Sequence, residues 1–147
     1  MADETQAAPS LEDYPARSHD KLRFADTDQL GHVNNAVFST LLETGRAEIL
    51  YPDGKPLAAP GATYVIVKVT LEFLAELNYP GRIDIGTRVV KIGRSSVSLQ
   101  QGLFQDGKLA GRADTVIVQI DETSRRSAPL PPETLSHLRS LMDAADR

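Results

Sequence analysis

Residues 23–35 read RFADTDQLGHVNN and lead directly into an amphipathic segment, 36–50. Ten positions of this stretch hold two carboxylates, an imidazole and two carboxamides: Asp26, Asp28, His32, Asn34 and Asn35. A short strand-like run precedes the stretch and a helical pattern follows it. Reactive groups are therefore gathered at a strand-to-helix junction, around which the rest of the chain is predicted to fold.

The segment 36–50 is predicted to be a helix that is packed on one side. Asn34 or Asn35 can cap its start by accepting a hydrogen bond from a first-turn amide. First-turn amides carry roughly half a positive charge, so they can stabilise an oxyanion that forms from a carbonyl oxygen. A catalytic site is therefore predicted where the helix begins. The apolar face consists of residues at steps of three and four, namely Phe38, Leu41, Leu42, Gly45 and Ile49.

Beyond the helix the apolar period changes to two. The alternation from Tyr64 to Leu77 predicts a long, half-buried strand, and Gly86 is a candidate bulge in the next strand. Because short connections force antiparallel neighbours, the four strands after the helix are predicted to form a meander that curls around it. The other predicted elements are strands over 82–92, 96–104 and 109–120, a short strand over 19–25 and a closing helix over 131–145.

Length and composition limit the classes of protein to consider. At 147 residues the chain suits one domain, and no apolar run approaches the roughly twenty residues that a membrane helix needs. The segment 1–17 is polar and lacks an apolar signal-peptide core, so we predict a flexible tail over 1–17, a single domain over 18–147 and a cytoplasmic location.

Charge and cysteine content exclude further classes. A net charge of -4 argues against a nucleic-acid partner, because phosphate contacts need a clustered basic surface. The absence of cysteine excludes disulfides, a thiolate nucleophile and Cys-ligated zinc, and with three histidines no metal site and no cofactor are expected.

The motif resembles that of a known family. The run Arg23-x-x-Asp26-x-Asp28-x-x-Gly31-His32-Val33-Asn34-Asn35, followed by Glu43-x-x-Arg46, is similar to the signature of hot-dog-fold acyl-CoA thioesterases of the 4-hydroxybenzoyl-CoA thioesterase superfamily. Gly93-Arg94-Ser95-Ser96 is similar to a second feature of that family. The resemblance covers about residues 17–121.

The resemblance implies an α+β hot-dog fold, in which a curved antiparallel sheet of about five strands wraps a central helix; the sequence adds a short C-terminal helix. It also implies a homodimer or homotetramer in which acyl-CoA, the substrate, lies across a subunit interface. Asp28 is implied as the catalytic carboxylate, which either attacks the thioester carbonyl or takes a proton from water. The sequence leaves these two routes open.

The other candidate residues each have an alternative role. His32 orients the thioester or bonds to backbone, and Asn34 and Asn35 cap the helix while presenting oxyanion-binding amides. Glu43 is a second catalytic candidate or an ion-pair partner of Arg46. Asp26 is expected to hold the loop, with Arg23 as its candidate partner. In a later turn, Arg94, Ser95 and Ser96 either meet the phosphates of coenzyme A or are solvated turn residues.

The sequence leaves two rival functions open. Hot-dog hydratases and dehydratases carry an Asp-x-Asn-Pro-x-His element, whereas Asp28 and His32 are four positions apart with no Asn-Pro between them. A non-catalytic acyl-CoA binder uses the same pocket without hydrolysis. The type of acyl group, and whether coenzyme A or a carrier protein bears it, is not predicted.

Overall fold

The computed structural model describes residues 8–143 and contains one long helix, α1 (Asn35–Leu50), lying against a five-stranded antiparallel sheet. The predicted hot-dog class, with about five strands around a central helix and a short C-terminal helix, is confirmed. No helix within the described residues is long and apolar enough to cross a membrane. The remaining elements are β1 (Ala16–Lys21), β2 (Ala62–Phe73), β3 (Arg82–Ile92), β4 (Ser96–Gln105), β5 (Lys108–Asp121) and α2 (Pro132–Ser140).

The strand order differs from the predicted meander. β3, β4 and β5 are consecutive neighbours, but β2 pairs with β5 at one edge of the sheet and β1 pairs with β3 at the other. The segment 74–81 crosses from β2 to β3, and it is long enough to span the strands between them instead of forming a hairpin. In this crossing segment the buried Leu77 accepts a hydrogen bond at its C=O from the Val33 N–H, at 3.0 Å. The crossing segment therefore runs beside the start of α1.

β2 is more exposed than the predicted half-buried strand. A bulge between Ile66 and Lys68 interrupts the alternation, and the strand ends at Phe73 instead of Leu77. Because α1 packs mainly against β1, β3 and β4, β2 lies at an open edge beside the helix. Large apolar side chains are exposed there as a result: Ile66 (47%), Val67 (59%), Val69 (44%), Phe73 (51%) and Leu74 (50%).

Two structural features lie just before residue 18. β1 starts at Ala16, and Tyr14 is buried because its ring packs on Gly86, where no Cβ blocks its approach. Gly86 therefore serves this contact, and the bulge in β3 lies between Val89 and Lys91. The predicted strand over 19–25 is displaced, because Phe24–Asp26 forms a 3-10 turn. Residues 1–7 of the predicted tail and 144–145 of the predicted closing helix lie outside the described residues.

Gly45 sets the distance between α1 and the sheet. A Cβ at this position would lie 2.7 Å from Ile85 Cγ2 and 2.8 Å from Gln101 Nε2. Gln101 is fully buried, and its Nε2 donates to Leu42 O and Thr87 Oγ1, each at 3.0 Å. The helix can approach this closely because glycine has no side chain.

Gly45→Ala is expected to lower the free energy of unfolding by about 1–2 kcal/mol. Overpacking a filled core costs about 1–3 kcal/mol, and a Cβ with three atoms at 3.0 Å or less belongs in the upper half of that range, at about 2–3 kcal/mol. Alanine gains about 1 kcal/mol over glycine in a helix, so the net loss is about 1–2 kcal/mol. Urea unfolding measures the change. Glu48→Ala, at an exposed position of the same helix, is the control and should stay within about 0.5 kcal/mol of the wild type. Equal stability of the Gly45→Ala protein would contradict the close contact.

Candidate active site

The loop before α1 is built around Asp26, which is 5% exposed. The Arg23 backbone N–H and its guanidinium each donate to the Asp26 carboxylate at 2.8 Å. The hydrogen bond from the Arg23 guanidinium lowers the pKa of Asp26, while burial acts in the opposite direction. The Asp26 C=O also accepts from the Asn34 N–H at 2.8 Å. Asp26 therefore ties the loop to the helix start, as predicted from its spacing to Arg23.

Asp28 organises the tip of the loop. Its Oδ1 accepts from the Leu30 N–H at 2.8 Å and from the His32 N–H at 3.3 Å, and its own N–H donates to the His32 C=O at 2.8 Å. Gly31 has a φ of +81°, which a side chain would disfavour in so tight a turn. These bonds hold the carboxylate by one oxygen. The other oxygen, Oδ2, has no hydrogen bond from the described residues.

The start of α1 presents a free amide. Asn34 is the N-cap, and its Oδ1 accepts from the Ala36 N–H at 2.9 Å, which satisfies that amide. The Val37 N–H donates to the Asn34 C=O at 2.9 Å. The Asn35 N–H has no partner in the described part of the chain. It lies at the positive end of the helix dipole, so it can bind a ligand oxygen.

One cavity of about 350 Å³ brings most of these groups together. Asp28, His32 and Asn35 form its polar side, together with Glu76 from the crossing segment. Glu76 Oε2 lies 3.1 Å from His32 Nε2. The rest of the lining is apolar and consists of Leu30, Val33, Phe38, Phe73, Leu74 and Ala75. An acid, a histidine and the residue that bears a free helix amide thus line the same cavity, against an apolar wall suited to an acyl group.

Glu43 does not reach this cavity. It lies eight residues beyond Asn35, about 12 Å along the helix axis, and lines a separate pocket with Arg46 and Tyr64. Arg46 is buried and donates to Gln101 Oε1 at 3.3 Å, and it forms no salt bridge with Glu43. Burial lowers the pKa of Arg46, while the Glu43 charge acts in the opposite direction. Within one chain, Glu43 and Asp28 are therefore not brought together.

The predicted phosphate-binding residues lie at the opposite end of the sheet. Arg94, Ser95 and Ser96 are at the turn between β3 and β4, where Ser96 pairs with Val118 of β5. The cavity lies near Phe73, which pairs with Gly111 of the same strand. Seven residues along β5 separate the two places, about 23 Å. A single chain therefore does not join this turn to the cavity.

Glu76 is the cavity residue that the sequence did not reveal. In the sequence pattern, Glu76 falls on the polar face of the predicted long strand, where it has no predicted partner. The ending of β2 at Phe73 and the crossing toward β3 bring it to His32 instead. Among residues 8–143, no cluster of three or more His, Cys, Asp or Glu side chains is placed to hold a metal ion.

Curated proteins with related sequences are thioester-cleaving enzymes by name. The chain is 24% identical to the acyl-CoA thioester hydrolase YbgC of Escherichia coli O157:H7 over 123 residues, which cover 81% of this chain and 92% of YbgC. It is 31% identical over 88 residues to the chloroplastic acyl-acyl carrier protein thioesterase ATL2 of Arabidopsis thaliana, covering 58% of this chain. The match covers 47% of ATL2, so the chain spans about half the length of that relative.

Solved structures share the fold, and a family model gives the superfamily. The Pseudomonas aeruginosa protein PA5185 superposes with a TM-score of 0.83 at 27% identity, over 92% of this chain and 97% of that one. A thioesterase from Thermus thermophilus, complexed with coenzyme A and Zn, gives a TM-score of 0.74 at 30% identity, over 87% and 94%. The family model of the thioesterase-like superfamily matches residues 22–138. The chain belongs to the thioesterase-like superfamily.

Proposed function

We propose that this protein is a thioester hydrolase that cleaves an acyl-CoA in the cavity at the start of α1. The observation that carries the proposal is that Asp28, His32 and Asn35 line one cavity, with the Asn35 N–H free. The similarity to YbgC and to the thioesterase complexed with coenzyme A supports the same chemistry and the same substrate class.

The reaction needs a polarised carbonyl and an oxygen nucleophile. The Asn35 N–H donates to the thioester carbonyl oxygen and stabilises the negative charge that this oxygen gains. Asp28 Oδ2 then acts by one of two routes: it attacks the acyl carbon and forms a mixed anhydride that water cleaves, or it takes a proton from the attacking water. In both routes the C–S bond breaks, and a carboxylic acid and the thiol of coenzyme A are released.

We further propose that two subunits pair through their β2 edges. Within residues 8–143, β2 pairs with β5 alone, so its other edge presents unpaired backbone groups. The strand also exposes the apolar side chains of Val67 and Val69, and this combination favours pairing with another strand. Antiparallel pairing places the start of one β2 beside the end of the other. The turn carrying Arg94, Ser95 and Ser96 is level with the start of its own β2, across β5, because Ser96 and Val65 both pair with Val118. In the dimer it is therefore on the side of the partner's cavity and can bind coenzyme A phosphates there.

The pairing also gives Glu43 a role to test, since its pocket lies at that same end of the sheet. We retain Glu43 as a candidate that acts on the partner's cavity. Assembly of two dimers into a tetramer, the cytoplasmic location and the boundary of the single domain stay predictions.

Thiol release from a panel of acyl-CoAs tests the proposed activity. Short-chain, long-chain and aromatic acyl-CoAs, and one acyl-carrier protein thioester, are incubated with the protein and a thiol-reactive dye. We expect turnover of at least one acyl-CoA at about 1–10³ s⁻¹, the ordinary range for enzymes. Saturable binding of acyl-CoAs, measured by calorimetry, without thiol release would favour a non-catalytic binder.

A further inference from the structure

Glu76 is an acid of the cavity whose function is unassigned. It lies in the crossing segment, between Ala75, which packs against the core, and the fully buried Leu77. Its backbone is therefore anchored on both sides, although its side chain is 64% exposed. The Oε2 atom reaches His32 Nε2 at 3.1 Å, and the described residues give Glu76 no other salt bridge.

This contact favours the tautomer of His32 that carries its hydrogen on Nε2. A carboxylate accepts hydrogen bonds and does not donate them, and Nε2 is the ring nitrogen in ion-pair contact with Glu76, at 3.1 Å. The backbone of His32 is held as well, because its N–H and C=O both bond to Asp28. Ring and backbone are thus fixed by two different acids. Nδ1 has no hydrogen bond from the described residues and is the nitrogen left to exchange protons.

We propose that Glu76 is a positioning residue for His32, an inference that rests on the proposed thioesterase function. Held by Glu76, the imidazole keeps Nδ1 unprotonated and turned to the reactants as a proton acceptor. In the route through the mixed anhydride, where Asp28 is the nucleophile, Nδ1 takes a proton from water as the water oxygen bonds to the acyl carbon and the acyl bond to Asp28 breaks. It then gives this proton to the thiolate released when the C–S bond broke, which yields the acid and the thiol of coenzyme A.

The surroundings of Glu76 favour this role over a general surface charge. The titratable groups that line the cavity are Asp28, His32 and Glu76. On its other side Glu76 borders a recess that Asp106 and Lys108 also line, but Lys108 forms no salt bridge with it. Among the described residues, His32 is therefore the basic residue with which Glu76 forms an ion pair.

A double-mutant cycle with an acyl-CoA that the wild type hydrolyses tests the inference. Glu76→Ala is expected to lower kcat by about 10- to 100-fold with KM changed less than about 3-fold, the size of loss known for removal of a carboxylate that orients a metal-bound histidine. Glu76→Gln should keep kcat within about 3-fold of the wild type, because its amide oxygen still accepts from Nε2–H. In a His32→Ala background, Glu76→Ala should cause no further loss.

Controls and contrary outcomes keep the test decisive. Glu133→Ala removes another exposed carboxylate, which lies in the first turn of α2 away from the cavity and from β2, and should leave kcat unchanged. Thermal unfolding confirms that each variant is folded. Normal kcat in the Glu76→Ala protein, or an equal loss with and without His32, would overturn the inference while leaving the thioesterase proposal intact. Failure of the wild type to hydrolyse any acyl-CoA would instead overturn the proposed function.

Discussion

Asp28→Asn is expected to lower kcat by about 10²–10⁴-fold, the range associated with loss of a group that transfers protons or attacks in the transition state. Asparagine has nearly the same shape, and its Oδ1 can still accept from the Leu30 and His32 amides, at 2.8 and 3.3 Å in the wild type. The loop should therefore stay folded. What is lost is the second carboxylate oxygen, which no described residue bonds. Steady-state kinetics on the best acyl-CoA of the panel measure the loss.

Binding and stability separate a catalytic effect from damage to the loop. The Asp28→Asn protein should bind a non-hydrolysable thioether analogue of the substrate within about 3-fold of the wild type, with an unchanged thermal midpoint. Asp106→Asn is the matched control, since Asp106 is exposed at the β4–β5 turn with a φ of 51°, which asparagine tolerates. Unchanged turnover in the Asp28→Asn protein would remove Asp28 from the mechanism.

The local chemistry of the site could be predicted from the sequence because it is built from neighbouring residues. The spacing of Arg23 and Asp26, the cap at Asn34 and the apolar face of α1 all act within a few positions along the chain. Hydrogen bonds over such short separations follow from residue type and spacing. The bounds of β3 follow from the sequence for the same reason, since turn residues flank it on both sides.

The long-range arrangement could not be predicted in the same way. Alternation indicates which face of a strand is apolar but not which strand lies beside it. The short connections predict β2 next to β3, whereas in the structure β2 pairs with β5. The alternation also extends the predicted strand to Leu77, whereas β2 ends at Phe73. Glu76 is therefore predicted on the polar face of the sheet, and its contact with His32 is not predicted. In the proposed dimer, the separation of Glu43 and Arg94 from the cavity of their own chain has a related cause, because a site completed across a subunit interface would scatter its residues within each chain.

Val67→Lys combined with Val69→Lys is expected to dissociate the proposed dimer and to lower its activity. These side chains are 59% and 44% exposed on the open edge of β2, so the monomer core does not depend on them. Burial of four half-exposed valines per dimer contributes about 3–6 kcal/mol, from roughly 0.75–1.5 kcal/mol each. Losing it raises the dissociation constant of the dimer by about 10²–10⁴-fold. Lysine on an edge strand also opposes pairing through its charge.

Sedimentation velocity measures the dissociation, and kinetics on the same samples measure the activity. If the turn at Arg94 binds coenzyme A in the partner's cavity, kcat/KM should fall in parallel with the fraction of dimer and recover as protein concentration rises. His19→Lys with Asp20→Lys places two lysines on β1, the opposite edge of the sheet, and should leave the dimer and its kinetics unchanged. A wild-type protein that is monomeric and fully active would contradict the shared site, because every group needed for hydrolysis would then come from one chain.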